Sequence, residues 1–211
     1  MNSRDMSMLK YLLLVFLFIS FPAPAKDRPL LVYGDSLSTG YGMAIDDNWV
    51  TLLQARLREN AMDIEVINAS ISGETSHGAK VRIDRLLEKT TPAITIIELG
   101  GNDGLRGLSM DAMYSNLDYI INALHEAGSQ VLLIPIQLPP NYGPVYNDKL
   151  QDVYQRLAEV HDITIGRFIL DGIAGQEELM QDDGIHPQEE AQQKMLENVW
   201  SDLEPLLKKH L

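Results

Sequence analysis

The sequence has no cysteine. That absence excludes a thiol nucleophile, a thiolate metal site, any disulfide and a lipid-modified N-terminal cysteine, so stability must come from packing. Basic residues are scarce: 17 Lys and Arg stand against 30 Asp and Glu, a net charge of −13. A chain of that sign is repelled by phosphate backbones and by anionic membrane surfaces. With no basic cluster to offset it, nucleic acid is not an expected partner. The one conspicuous apolar run, Tyr11–Phe21, falls well short of the roughly 20 residues that span a bilayer. Internal repeats, low-complexity stretches and interdomain linkers are also missing.

What is present is the composition of a globular chain: 211 residues, 45% apolar and 22% charged, which suits one domain with a continuous core. The first residues differ in kind. Arg4 and Lys10 precede the apolar run, and Ala23-Pro24-Ala25 offers small residues beyond it, the pattern of a secretory signal. Residues 1–25 are therefore expected to be a signal peptide and 26–211 the functional domain, periplasmic or secreted, with no stable membrane anchor after cleavage. Removing the leader takes away Arg4, Lys10 and Asp5 and leaves the remainder more acidic by one charge. No coiled-coil or edge-strand signal points to an oligomer.

From residue 29 onward apolar runs alternate with helical-period segments. Leu30–Tyr33, Ile64–Asn68, Ile94–Leu99 and Val131–Ile136, with a weaker run at 163–167, read as parallel strands covered on both faces. Met110, Met113, Tyr114, Leu117, Ile120, Ile121 and Leu124 keep the spacing of an amphipathic helix stopped by Gly128, and Tyr146, Leu150, Val153, Leu157 and Val160 outline another. A last helix is predicted from Pro187 through Ala191, Met195, Val199, Trp200, Leu203 and Leu206. This alternation predicts an α/β fold, a three-layer α/β/α sandwich.

The chemistry-bearing residues follow the strand ends. Ser36 lies in Gly34-Asp35-Ser36-Leu37-Ser38, Gly73 in Ser70-Ile71-Ser72-Gly73-Glu74 and Asn102 in Gly100-Gly101-Asn102-Asp103. His186 lies in Asp183-Gly184-Ile185-His186-Pro187. In an open parallel sheet the carboxyl ends of the strands share one edge, where ligands bind. A serine there can act as a nucleophile, a histidine as its base, and Asp183, three residues before the histidine, can orient the ring. Asn102 can aim amide hydrogens at an oxyanion, and Gly73 lets a backbone N–H approach closely. Each motif taken singly also suits a turn or cap. Ser38 is a rival nucleophile and Asp182 a rival acid. His77, His125, His161 and His210 read as solvated, and Asp103 as a loop brace. Glu98 interrupts an apolar strand, and no partner for it is legible.

Together, these blocks resemble the SGNH hydrolase superfamily, the GDSL-type esterases, and within it the acyl-CoA thioesterase, lysophospholipase and arylesterase group. The resemblance covers Asn68–Thr75, Glu98–Gly107 and Met180–Pro187 as well as the serine block. It implies a flavodoxin-like, five-stranded parallel sheet and a hydrolase with no metal and no cofactor. Ser36 would be the nucleophile, His186 the base and Asp183 the orienting acid. The oxyanion hole would comprise the Ser36 and Gly73 N–H groups and the Asn102 side chain. The substrate would be a small acyl ester or thioester, its acyl chain lying against Leu105, Leu108, Leu138, Pro139 and Tyr142. The alternatives are a carbohydrate O-deacetylase of the same fold, a metal-dependent hydrolase built on Asp35, Asp103, Asp183 and His186, and a non-catalytic binding module.

Overall fold

A computed structural model describes residues 28–210; the predicted signal peptide lies outside them. In chain order the elements are β1 (Leu30–Gly34), α1 (Ser36–Thr39), α2 (Trp49–Glu59), β2 (Val66–Asn68), α3 (Ser76–Leu87) and β3 (Ile94–Glu98). Then follow α4 (Gly101–Leu105), α5 (Met110–Glu126), β4 (Gln130–Leu133), α6 (Pro144–His161), β5 (Thr164–Ile165) and α7 (Gln192–His210). The five strands form one parallel sheet in the order β2-β1-β3-β4-β5. This is the flavodoxin-like order. Every residue of β1 and β3 is buried, as their unbroken apolar runs require of central strands covered on both faces.

From β1 the chain moves outward to β2 and then returns across β1 to β3. Right-handed crossovers in opposite directions put their helices on opposite faces. Accordingly α2 packs with α7, while α5 packs with both α3 and α6. The reversal opens a crevice beyond the carboxyl ends of β1 and β3, the place where such sheets bind ligands. Ser36 follows β1 there, and Asn102 follows β3.

The helices start where the side chains can cap them. Asn48, Thr75 and Ser109 accept from the N–H groups of Thr51, Gly78 and Ala112, opening α2, α3 and α5. Several expectations need correction. The β4 ladder ends at Leu133 because Pro135 has no N–H to continue it, although the Ile134 N–H still reaches Ile97 O at 2.8 Å. Pro187 does not open α7; it pairs with Met180 in an antiparallel bridge, and α7 starts at Gln192 after a short 3₁₀ turn. Val160 lies on the outer face of α6, 66% exposed. His161 is not solvated: its side chain is 7% exposed and its Nε2 lies 2.8 Å from Asp118 Oδ1.

Candidate active site

Asp35 and Ser36 occupy the sharp turn out of β1. Ser36 is the first residue of the single helical turn α1, and the Asp35 carboxylate caps that turn by accepting the Leu37 N–H at 3.1 Å. Gly34 has to be glycine for a steric reason. A Cβ at this position would lie 2.7 Å from Glu98 Oε2 and 2.8 Å from Ser38 Oγ. The Ser38 hydroxyl is itself buried and donates to Glu98 Oε2 at 2.8 Å, so of the two candidate serines only Ser36 opens onto the crevice.

The last block folds as a tight loop between Met180 and Pro187. Gly184 takes φ +67, and the Asp183 Oδ1 atom accepts the N–H groups of Ile185 and His186, each at 2.9 Å. That leaves Asp183 Oδ2 2.6 Å from His186 Nδ1, while His186 Nε2 lies 2.9 Å from Ser36 Oγ. Asp182 is exposed and makes no hydrogen bond to the ring. Tyr41 covers one face of the imidazole, its ring centroid 4.3 Å away. Burial raises the Asp183 pKa, but hydrogen bonds from the His186 ring and from the two backbone N–H groups, with the His186 charge, outweigh it. Asp183 is held below the ordinary carboxylate range, so it remains the acceptor of an Nδ1–H.

Ser36, Gly73 and Asn102 all line the cavity. Among the described residues, neither the Ser36 nor the Gly73 N–H has a protein acceptor. Gly73 sits at φ +77, conformational freedom that a side chain would lose. Its loop is tied to the serine turn: Ser70 Oγ accepts the Gly34 N–H at 3.0 Å, and the Thr39 and Ser72 hydroxyls lie 2.6 Å apart. Asn102 is fixed at both ends of its amide. Arg106 Nη2 donates to its Oδ1 at 3.3 Å and to Gly73 O at 2.9 Å, and Asn102 Nδ2 donates to Asp35 Oδ2 at 3.0 Å. Among the described residues, no second protein acceptor takes the Asn102 amide. Asp103 braces the loop, accepting the Ser76 N–H at 2.8 Å and the Ser76 hydroxyl at 2.6 Å.

Residues 32–194 match the GDSL-like Lipase/Acylhydrolase family. The chain belongs to that family. It is 46% identical over 183 residues to the esterase TesA of Pseudomonas aeruginosa PAO1, covering 87% of this chain and 91% of TesA. It is 38% identical to the thioesterase 1/protease 1/lysophospholipase L1 of Escherichia coli K12, covering 94% of this chain and 93% of that protein. A crystal structure of the psychrotrophic esterase EstA from Pseudoalteromonas sp., inhibited by monoethylphosphonate, superposes with a TM-score of 0.82 at 38% identity. That superposition covers 86% of this chain and all of EstA. As a GDSL acylhydrolase, the protein is a carboxylic ester hydrolase.

The cavity of this family member holds about 680 Å³ and is lined by Leu105, Ile136, Leu138, Pro139 and Pro140 among others. Two predicted lining residues lie elsewhere. Leu108 is 42% exposed and does not reach the cavity; Tyr142 stands behind its wall, donating its hydroxyl to Leu105 O at 3.1 Å. Phe168, Leu170, Ala174, Met180 and Ile185, from the segment between β5 and the histidine, also line it and were not among the expected residues. The run Phe168-Ile169-Leu170 was their one signal in the sequence. The acidic groups considered as metal ligands face different partners, Asp35 toward Asn102, Asp183 toward His186 and Asp103 toward Ser76. No helix among the described residues is long and apolar enough to cross a membrane.

Proposed function

We propose that this acylhydrolase cleaves acyl esters and thioesters, lysophospholipids among them, through a covalent acyl-enzyme on Ser36. The observation that carries the proposal is the hydrogen-bonded line Ser36–His186–Asp183 opening onto an apolar cavity. His186 Nε2 removes the hydroxyl proton as Ser36 Oγ bonds to the acyl carbon, and Asp183 stabilises the imidazolium through Nδ1–H. The carbonyl oxygen becomes an oxyanion held by the Ser36 N–H, the Gly73 N–H and the free Asn102 amide hydrogen. The intermediate collapses, and His186 hands its proton to the departing alkoxide or thiolate. Water, deprotonated by His186, then attacks the acyl-serine, and the same steps release the carboxylic acid.

The relatives' names support this substrate range: one is a thioesterase and lysophospholipase, and another esterase is inhibited by a phosphonate, a stand-in for the tetrahedral adduct. Residues 1–25 act as an export signal in this reading, and residues 26–211 work in the periplasm or outside the cell. The test is hydrolysis of p-nitrophenyl esters from acetate to palmitate by residues 26–211, beside Ser36→Ala. We expect medium-chain esters to be preferred and Ser36→Ala to lose at least about 10⁴-fold in kcat while remaining folded. Wild-type turnover by the variant would remove Ser36 as nucleophile. A sharp preference for acetate would favour the sugar deacetylase.

A further inference from the structure

Glu98 has no part in the transfer just described, and its burial needs a reason. It ends β3 opposite Gly34 and is wholly enclosed. Its Oε2 accepts from the Ser38 hydroxyl at 2.8 Å and from the Asp35 N–H at 3.3 Å. Its Oε1, equally buried, accepts nothing. A buried carboxylate with one bare oxygen is strongly unfavourable. The second carboxyl in the same enclosure, Asp35, is 3% exposed.

Among the described residues no Lys or Arg forms a salt bridge with either group. The titratable groups facing the pair are His186 from the histidine loop, Tyr154 from α6 and Asp103 from α4. Tyr154 donates its hydroxyl to Leu99 O at 2.8 Å, and Asp103 is occupied by Ser76. Two carboxylates enclosed together without a neighbouring cation cannot both ionise, so the pair holds one proton. Burial, and then the charge of Asp35, push Glu98 well above the ordinary carboxylate range. Burial also raises Asp35, but hydrogen bonds from Leu37 and Asn102 oppose it and leave it at about 6. Asp35 therefore ionises first, and the proton stays on Glu98. Because Oε2 already accepts twice and Oε1 has no donor, the proton is assigned to Oε1, where it makes the neutral acid a donor.

We propose that Glu98, kept as the neutral acid, is a positioning residue for acyl transfer. Its Oε1–H donates to the Asp35 carboxylate, and its Oε2 accepts from the Asp35 N–H and Ser38. The turn carrying Ser36 is thereby clamped from below. Asp35, held ionised, in turn accepts from Asn102 Nδ2 and aims the remaining amide hydrogen at the oxyanion. This role rests on the acyl-transfer reading.

The test compares wild type, Glu98→Gln and Glu98→Leu in kcat and KM on p-nitrophenyl butyrate, with infrared spectra of the resting proteins. Glutamine copies the neutral acid, with an oxygen to accept and an amide to donate; leucine does neither. Glu98→Leu should lose kcat by about 10²-fold or more with KM within about threefold, the loss that follows removal of an oxyanion donor. Glu98→Gln should restore kcat to within about threefold of wild type. The carbonyl stretch of a neutral buried carboxylic acid should be present in wild type at neutral pH and missing from Glu98→Gln. A glutamine variant as impaired as leucine, a leucine variant with wild-type kcat, or the absence of that band overturns the proposal. Should Glu98→Leu fail to fold, the glutamine variant and the infrared band still decide. The infrared readout does not depend on Ser36: full activity in Ser36→Ala would sink the acyl-transfer reading, while the band would still report the proton.

Discussion

Asn102 shows how a single side chain is given one orientation. An amide can flip end for end, but here Arg106 supplies a donor to one end and Asp35 an acceptor to the other, so only one setting satisfies both. Preorganisation of this kind stabilises charge that develops only in the transition state. Replacing Asn102 with alanine should lower kcat by about 10²–10³-fold and leave KM nearly unchanged, as steady-state kinetics on a p-nitrophenyl ester would show. The carboxyl pair beneath it makes a thermodynamic prediction. Glu98 and Asp35 both titrate above their ordinary values in the fold, so above about pH 4 the folded chain keeps a proton that the unfolded chain releases. Their contribution to stability is full below that pH and is lost as pH rises, through about 6 for Asp35 and higher for Glu98. Between roughly pH 5 and pH 8 the Tm of Glu98→Gln should therefore fall less than that of wild type.

At this scale the sequence was informative wherever a local motif brought a residue to the cavity, as for Ser36, Gly73, Asn102 and His186. It left two choices open. Asp183 and Asp182 differ only in how a turn with Gly184 at positive φ directs them, and Ser36 and Ser38 only in which side of one helical turn they occupy. The partner of Glu98 was illegible because the register that sets Gly34 beside it is a property of two strands together.

Among the elements, the strands were readable because burial on both faces makes an unbroken apolar run. Helices α5, α6 and α7 were readable from their apolar stripes. α2 and α3 were not picked out, since each is short and mixes charges into its sequence. The cavity-lining residues that follow β5 were missed for another reason. The segment between β5 and Met180 follows neither a helical nor a strand period, so nothing in its pattern says which apolar residues turn toward the cavity. Phe168, partly buried at the cavity, should contact the acyl chain rather than the reacting carbonyl. Phe168→Ala is expected to cut kcat/KM on a p-nitrophenyl octanoate about tenfold while acetate changes by no more than about threefold. Equal losses on both esters would place the ring outside the acyl path.

At the scale of the whole molecule, a sheet that reverses direction at β1 gathers loops from across the chain at one crevice. Ser36 and His186 lie 150 positions apart and meet only when the first strand and the segment before the last helix are both in place. That meeting is secured from the last helix itself: Gln192 Oε1 accepts the Trp49 N–H, and Asn198 Nδ2 reaches the carbonyls of Ile169 and Asp171. A chain still emerging from the ribosome therefore has Ser36 without His186 beside it. The acyl transfer proposed above becomes possible only with the docking of its final segment. The connectivity of the fold thus acts as a safety catch.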